Sequence, residues 1–142
     1  MTAIADINVL LPILVEGHTF HPAAWRWWQG RADASVGLCL PTQLGVLRML
    51  TNAKVMGGDP VPPSQALAAW NALAADPRCV WLDPEPGQDA FLSRFVANRQ
   101  PSPNLWTDAW LSALAAIKGV GLTSFDADFR SFELPDFEHL KP

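Results

Sequence analysis

The sequence predicts an α/β fold, a three-layer α/β/α sandwich in which a mainly parallel sheet is covered by helices on both faces. Three observations lead there. Short apolar runs of strand length alternate with longer segments whose apolar residues recur at helical spacing. Nearly half of the 142 residues are apolar and only 17% are charged, the balance of an ordinary globular protein. The proline-rich pieces, Gly57 to Pro63 and Pro101 to Pro103, are loop-length breaks between periodic segments. A chain of this length is expected to form one domain over residues 1–142, burying roughly two-thirds of its unfolded surface around one core.

Thr2 to Ala5 reads as a short buried strand. Asn8 suits the cap of a first helix through Val9, Leu10 and Leu11, with Pro12 near the opening turn, where its missing N–H costs least. Phe20 to Trp28 is a second helix with Ala24, Trp27 and Trp28 on a common face, and Ser35 to Leu40 a second strand. From Thr42 to Leu50, Leu44, Val46, Leu47 and Leu50 recur at helical spacing. The next helix covers Ser64 to Ala75, with Ser64 as its cap and Leu67, Trp70 and Leu73 facing inward.

Cys79 to Leu82 is a compact third strand, and Gln88 to Asn98 is helical. Ser102-Pro103 offers a cap with proline at the first position of a helix reaching about Lys118, where Gly119-Val120-Gly121 stops it. Val120 to Ser124 is a fourth strand, with a short terminal strand near Phe137 to Leu140. In such parallel sheets, sites form beyond the carboxyl ends of the strands. Asp6 and Asp126 follow strands at that edge, and Asp108 joins them if its helix begins at the same edge, which a start at Ser102-Pro103 permits.

A formal charge of -4 and a pI near 5.2 argue against a protein that grips nucleic acid through a broad basic face. Any contact with RNA must then be local or supplied by a partner. Cys39 and Cys79 sit in apolar runs at no metal-ligand spacing and read as reduced core residues of a cytoplasmic protein. No segment approaches the roughly 18 apolar residues of a membrane span, and the N-terminus lacks the basic start of a secretory signal.

Three distant segments each set an aspartate against apolar residues: Ile4 to Leu11 around Asp6, Leu105 to Leu111 around Asp108, and Gly121 to Phe129 around Asp126 and Asp128. No lysine or arginine lies within any of them. Charges so placed are costly unless paired. Two unit charges about 5 Å apart at an effective dielectric near 20 repel by roughly 3 kcal/mol, so converging carboxylates call for a hard dication. Oxygen donors select Mg²⁺ or Mn²⁺ over zinc. Asp6 and Asp126 are the expected direct ligands, with Asp108 ligating directly or through water and accepting the attacking water's proton. Asp128 is a further candidate ligand that could equally cap the Phe129 to Phe132 segment. Asn8 and Ser124 are candidates to hold the carboxylates in place.

The series Asp6-x-Asn8-Val9-Leu10-Leu11, Thr107-Asp108-Ala109 and Ser124-Phe125-Asp126-x-Asp128-Phe129 resembles the PIN domain, and in particular the VapC toxins of bacterial toxin–antitoxin pairs. His18, His21 and Trp25 after the first helix, and Leu47-Arg48-Met49-Leu50-Thr51-Asn52 after the second strand, match one branch of that family. The resemblance spans nearly the whole chain. It implies a magnesium- or manganese-dependent endoribonuclease that hydrolyses RNA. Commonly such a protein is dimeric, and a cognate antitoxin inhibits it by inserting a segment into the active-site groove.

One departure bears on activity. Most members carry a glutamate in the helix after the second strand; aligning on Val46-Leu47-Arg48 places Gly45 there, with Gln43 nearby, and no acid occurs between Ser35 and Gly58. The alternative reading is therefore a catalytically weak PIN-like domain that binds RNA or a protein partner without cutting. A phosphatase of the haloacid dehalogenase type also starts with an aspartate after a strand, but its chemistry needs a second aspartate where Asn8 stands.

Among the remaining polar residues, Arg48 is one of few basic groups near the expected site and is the candidate for substrate phosphate. His18 and His21 read as helix-start or packing residues. Of the seven tryptophans most belong to the core; adjacent Trp27 and Trp28 point about 100° apart on a helix even where they share a broad face, which makes one of them the candidate for a dimer or antitoxin surface.

Overall fold

Strand β1 (Ala3–Ala5) lies at the centre of a five-stranded sheet, flanked by β2 (Val36–Leu38) and β4 (Gly121–Ser124), with β3 (Cys79–Trp81) and β5 (Phe137–His139) at the edges. The computed structural model describes residues 1–142. Every pairing is parallel, with Ala3 opposite Val36 on one side and Gly121 on the other. The order β3-β2-β1-β4-β5 reverses direction between β1 and β4, so the connections leaving these two strands diverge and open a crevice at their carboxyl ends.

The helices are α1 (Ile7–Leu14), α2 (His21–Gln29), α3 (Leu40–Leu50), α4 (Pro63–Ala74), α5 (Gln88–Val96) and α6 (Leu105–Lys118), with a 3-10 helix over Ala127–Phe132. Side chains alternate across a strand, and β1 shows the result. Ala5 packs into a core built with α1, α2, α3 and α4, whereas Ile4 packs into a second core with α6 and the 3-10 helix. The expected three layers and parallel sheet are both present. No helix is long and apolar enough to cross a membrane.

Several expected details differ. The cap of α1 is Asp6, whose Oδ1 accepts a hydrogen bond from the Ile7 amide at 2.7 Å, and Asn8 lies inside the helix with its side chain turned to other work. Pro12 consequently falls in the second turn. Helix α3 starts at Leu40, which shortens the second strand, and Leu44 is 52% exposed. In α4 the inward stripe is Ala66, Trp70 and Leu73, which leaves Leu67 46% exposed. That helix begins at Pro63 with Pro62 before it, because proline's fixed φ and missing N–H suit the first helical position better than Ser64 suits the cap.

Helix α6 opens at Leu105 after Asn104, two residues beyond the Ser102-Pro103 turn, and ends at Gly119, whose left-handed φ of 65° lets its amide reach back to Ala115 and Ala116. Trp27 and Trp28 are both buried, the first donating from Nε1 to Glu138 at 2.9 Å and the second lying under the Arg78 guanidinium. Neither offers an open surface; Trp25, Trp81 and Trp106 are the exposed ones. Cys39 is buried, Cys79 only partly so, and both are free thiols.

Candidate active site

The crevice between β1 and β4 is held shut at its base by one hydroxyl. Ser124 ends β4, and its Oγ donates to Asp6 Oδ2 at 2.8 Å. It accepts from the Asp126 amide at 2.9 Å and from Asn8 Nδ2 at 3.1 Å. A hydroxyl has one proton and two lone pairs, so these three bonds use its full capacity. Asn8 completes the bracket by accepting the Phe125 amide on Oδ1 at 3.1 Å. The strand that carries Asp6 and the loop that carries Asp126 are thereby fixed to each other.

Asp6 is 7% exposed, and burial raises its pKa above the usual carboxylate range despite the bonds from Ser124 and Ile7. Asp126 caps the 3-10 helix, its Oδ1 accepting from the Asp128 amide at 2.9 Å. Asp108 stands in the first turn of α6 and lines the same cavity as Asp6 and Asp126. Burial pushes its carboxyl up to about 7, helped by the charges of Asp6, Asp126 and Asp128 in that order. A carboxyl whose pKa responds to three others lies within their common field.

Asp6, Asp108 and Asp126 line one cavity of about 290 Å³. Arg48 and Met49 of α3 and His18 and Phe20 of the loop before α2 supply other parts of its wall. The His18 ring is oriented by the Phe20 amide, which donates to Nδ1 at 3.0 Å, and Phe20 stacks on Phe125 at 4.6 Å between centroids. Burial lowers the His18 pKa, with His21 adding to the effect, so the ring is neutral near pH 7. His21 instead places Nδ1 2.7 Å from the Pro12 carbonyl oxygen.

The donor set suits a hard cation: carboxylates and an amide oxygen, with Arg48 the single cation on the cavity wall. In their present rotamers no three of the acids form a ready-made metal-binding group. Burial first, and then the neighbouring carboxylates, drive Asp108 towards its neutral form, a cost that a bound cation would offset. Asp128 is exposed and lies in an adjoining cavity that has Asp108 as the shared wall.

At the position of the missing glutamate, α3 passes directly over α1. A Cβ on Gly45 would fall onto Ile7 Cδ1 and within 2.7 Å of Ile7 Cγ1, so the aliphatic Ile7 fills the space an α3 side chain would take. Reading along the chain did not mark Asn104 or Thr107 as cavity residues. The signal was present, since Asn104 sits one helical turn before Asp108.

An all-parallel sheet with carboxylates gathered beyond its two diverging strands defines a PIN-type α/β/α domain. The chain matches no protein-family model. Ribonuclease VapC41 of Mycobacterium tuberculosis is 34% identical over 134 residues, covering 91% of this chain and 92% of the relative. Ribonuclease VapC39 of the same species is 32% identical over 131 residues, covering 89% and 90%. In structure the fold is similar to M. tuberculosis VapC20, a sarcin-ricin loop cleaving toxin, with a TM-score of 0.67 at 16% identity over 99% of this chain and all of that one. It is likewise similar to VapBC2 of Rickettsia felis bound to a DNA fragment from its promoter, with a TM-score of 0.64 at 10% identity over 99% of this chain and 100% of that one. This chain belongs to the VapC ribonuclease family.

Proposed function

We propose that this protein is a Mg²⁺- or Mn²⁺-dependent endoribonuclease that hydrolyses RNA phosphodiester bonds and serves as the toxin of a toxin–antitoxin pair. The observation that carries the reading is the convergence of Asp6, Asp108 and Asp126 on one cavity at the sheet's switch point. Asp6 and Asp126 would hold the cation directly, with Asp108 as third ligand and Asp128 at the margin. When bound there, a divalent cation supplies positive charge for the phosphoryl oxygens and acidifies water.

The chain's own residues do the rest. Ser124 and Asn8 fix the Asp6 and Asp126 segments, so the carboxylates need little reorganisation when substrate arrives. Arg48 offers a guanidinium to a phosphate oxygen from the opposite part of the wall. Asp108, which lines the same cavity, takes the proton released as water attacks. Phe20, stacked on Phe125, presents an aromatic surface to a neighbouring base.

We read residues 1–142 as one domain, since both cores rest on the same sheet. We place the protein in the cytoplasm, where its two free thiols stay reduced. A cognate antitoxin and a second copy of the chain are the expected partners. The non-cleaving reading rests on Gly45, where Ile7 occupies the room for a further acid. Incubating antitoxin-free protein with total RNA and Mn²⁺ separates the two. Cleavage that is abolished by chelator and by Asp6→Asn supports the nuclease; RNA retention without any cleavage supports the binding domain.

A further inference from the structure

Resting on the ribonuclease reading, we propose that the RNA strand continues past Asp108 into the adjoining cavity, where Arg99 and Arg130 hold the phosphate next to the one being cut. This second cavity, of about 420 Å³, is polar and shares Asp108 with the first. Two guanidiniums line it, and neither makes a salt bridge; the protein's only ion pairs are Arg78–Asp76 and Lys118–Glu85.

Both arginines are positioned by groups other than carboxylates. Arg99 donates to Ser131 Oγ at 2.7 Å and to the Ser131 carbonyl at 2.9 Å, and its guanidinium lies 4.1 Å from the centroid of the Phe132 ring. Arg130 lies 3.2 Å from His139 Nδ1, and His139 Nε2 lies 3.1 Å from the Phe125 carbonyl, the residue before Asp126. Arrangements of this kind orient a guanidinium without cancelling its charge, and both arginines line the cavity together with Asp108 and Asp128. A polymer cut in its interior carries a phosphate on each side of the reacting one. In a protein of net charge -4, cations set beside the acids on a shared cavity wall match that need. An acidic segment of a protein partner is the competing occupant, but it gives no reason for the cavity to run into the carboxylate site.

The test is equilibrium binding of a single-stranded RNA oligonucleotide with Mg²⁺ across a salt series, in an Asp6→Asn background that prevents cutting. Adding Arg99→Gln with Arg130→Gln is expected to weaken binding and flatten the slope of log affinity against log salt by about 0.7 for each lost phosphate contact. Arg130→Gln alone, at an exposed position and with the Arg99 bonds to Ser131 intact, keeps the test valid if Arg99→Gln loosens the 3-10 helix, and is expected to flatten the slope in the same direction by less. An unchanged slope overturns the proposal and leaves the nuclease reading intact when the parent protein, with Asp6, Arg99 and Arg130 all in place, cleaves RNA. An unchanged RNA slope with weakened antitoxin binding overturns it in favour of a protein occupant. Absence of both binding and cleavage in the parent protein overturns both readings together.

Discussion

Ser124 Oγ donates to Asp6 Oδ2 across 2.8 Å, joining residues 118 positions apart in the chain. The same hydroxyl receives the Asp126 amide. One buried side chain therefore sets the spacing of two of the acids. Ser124→Ala removes the donor and leaves the Asp126 amide and Asn8 Nδ2 without their acceptor. The expected cost is about 1–3 kcal/mol in urea denaturation, and RNA cleavage should fall as the Asp6 carboxylate loses its bond.

Removal of the acids should separate by role. Asp6→Asn keeps the helix cap, because asparagine accepts the Ile7 amide as well, yet it deletes a charge from the proposed cation site. Cleavage is expected to fall by roughly 100-fold or more, against roughly 10-fold for Asn8→Ala, which only loosens the bracket. Initial rates on RNA with saturating Mn²⁺ measure both. Equal losses in the two variants would contradict the roles assigned here.

Asp108 makes the metal-free protein sensitive to pH. Its carboxyl is raised from 3.8 in the unfolded chain to about 7 in the fold, so the native state binds more protons between those values. Stability is then greatest below about pH 4 as far as this group is concerned, and declines as pH rises towards 7. Because Asp108 is only partly buried, solvent screening reduces the effect to about 1–2 kcal/mol. Asp108→Asn should reduce the decline, leaving the part that the raised Asp6 carboxyl contributes, and Mg²⁺ should restore stability near pH 7 by binding the native state. Thermal melts in chelator and in Mg²⁺ from pH 4 to 8 test this.

Gly45 and Ile7 should be coupled. Gly45→Ala adds a Cβ onto the end of the Ile7 side chain and is expected to cost about 1–2 kcal/mol by overpacking. In an Ile7→Ala background the obstruction is gone, and the same change should stabilise by about 0.5–1 kcal/mol through helix propensity. A double-mutant cycle reads the change of sign.

Periodicity and chain order were enough to read the alternation of strands and helices, the parallel sheet, and the aspartates at its carboxyl edge. The sequence by itself also pointed to Asn8 and Ser124 as residues that steady the acids. Helix starts were less legible: Asp6 and Asn8 are both good caps, and only the direction of each side chain decided that Asp6 caps α1 while Asn8 reaches across to β4. Leu67 and Ala66 likewise share a helix, and packing against the α1–α3 layer chose the smaller one for the core. The tertiary structure alone brought Arg99 and Arg130 to a cavity touching Asp108, and set Ile7 into the space beside Gly45. Such neighbours are far apart in sequence and carry no local pattern, so only the closing of the sheet and its two helical layers makes them contacts.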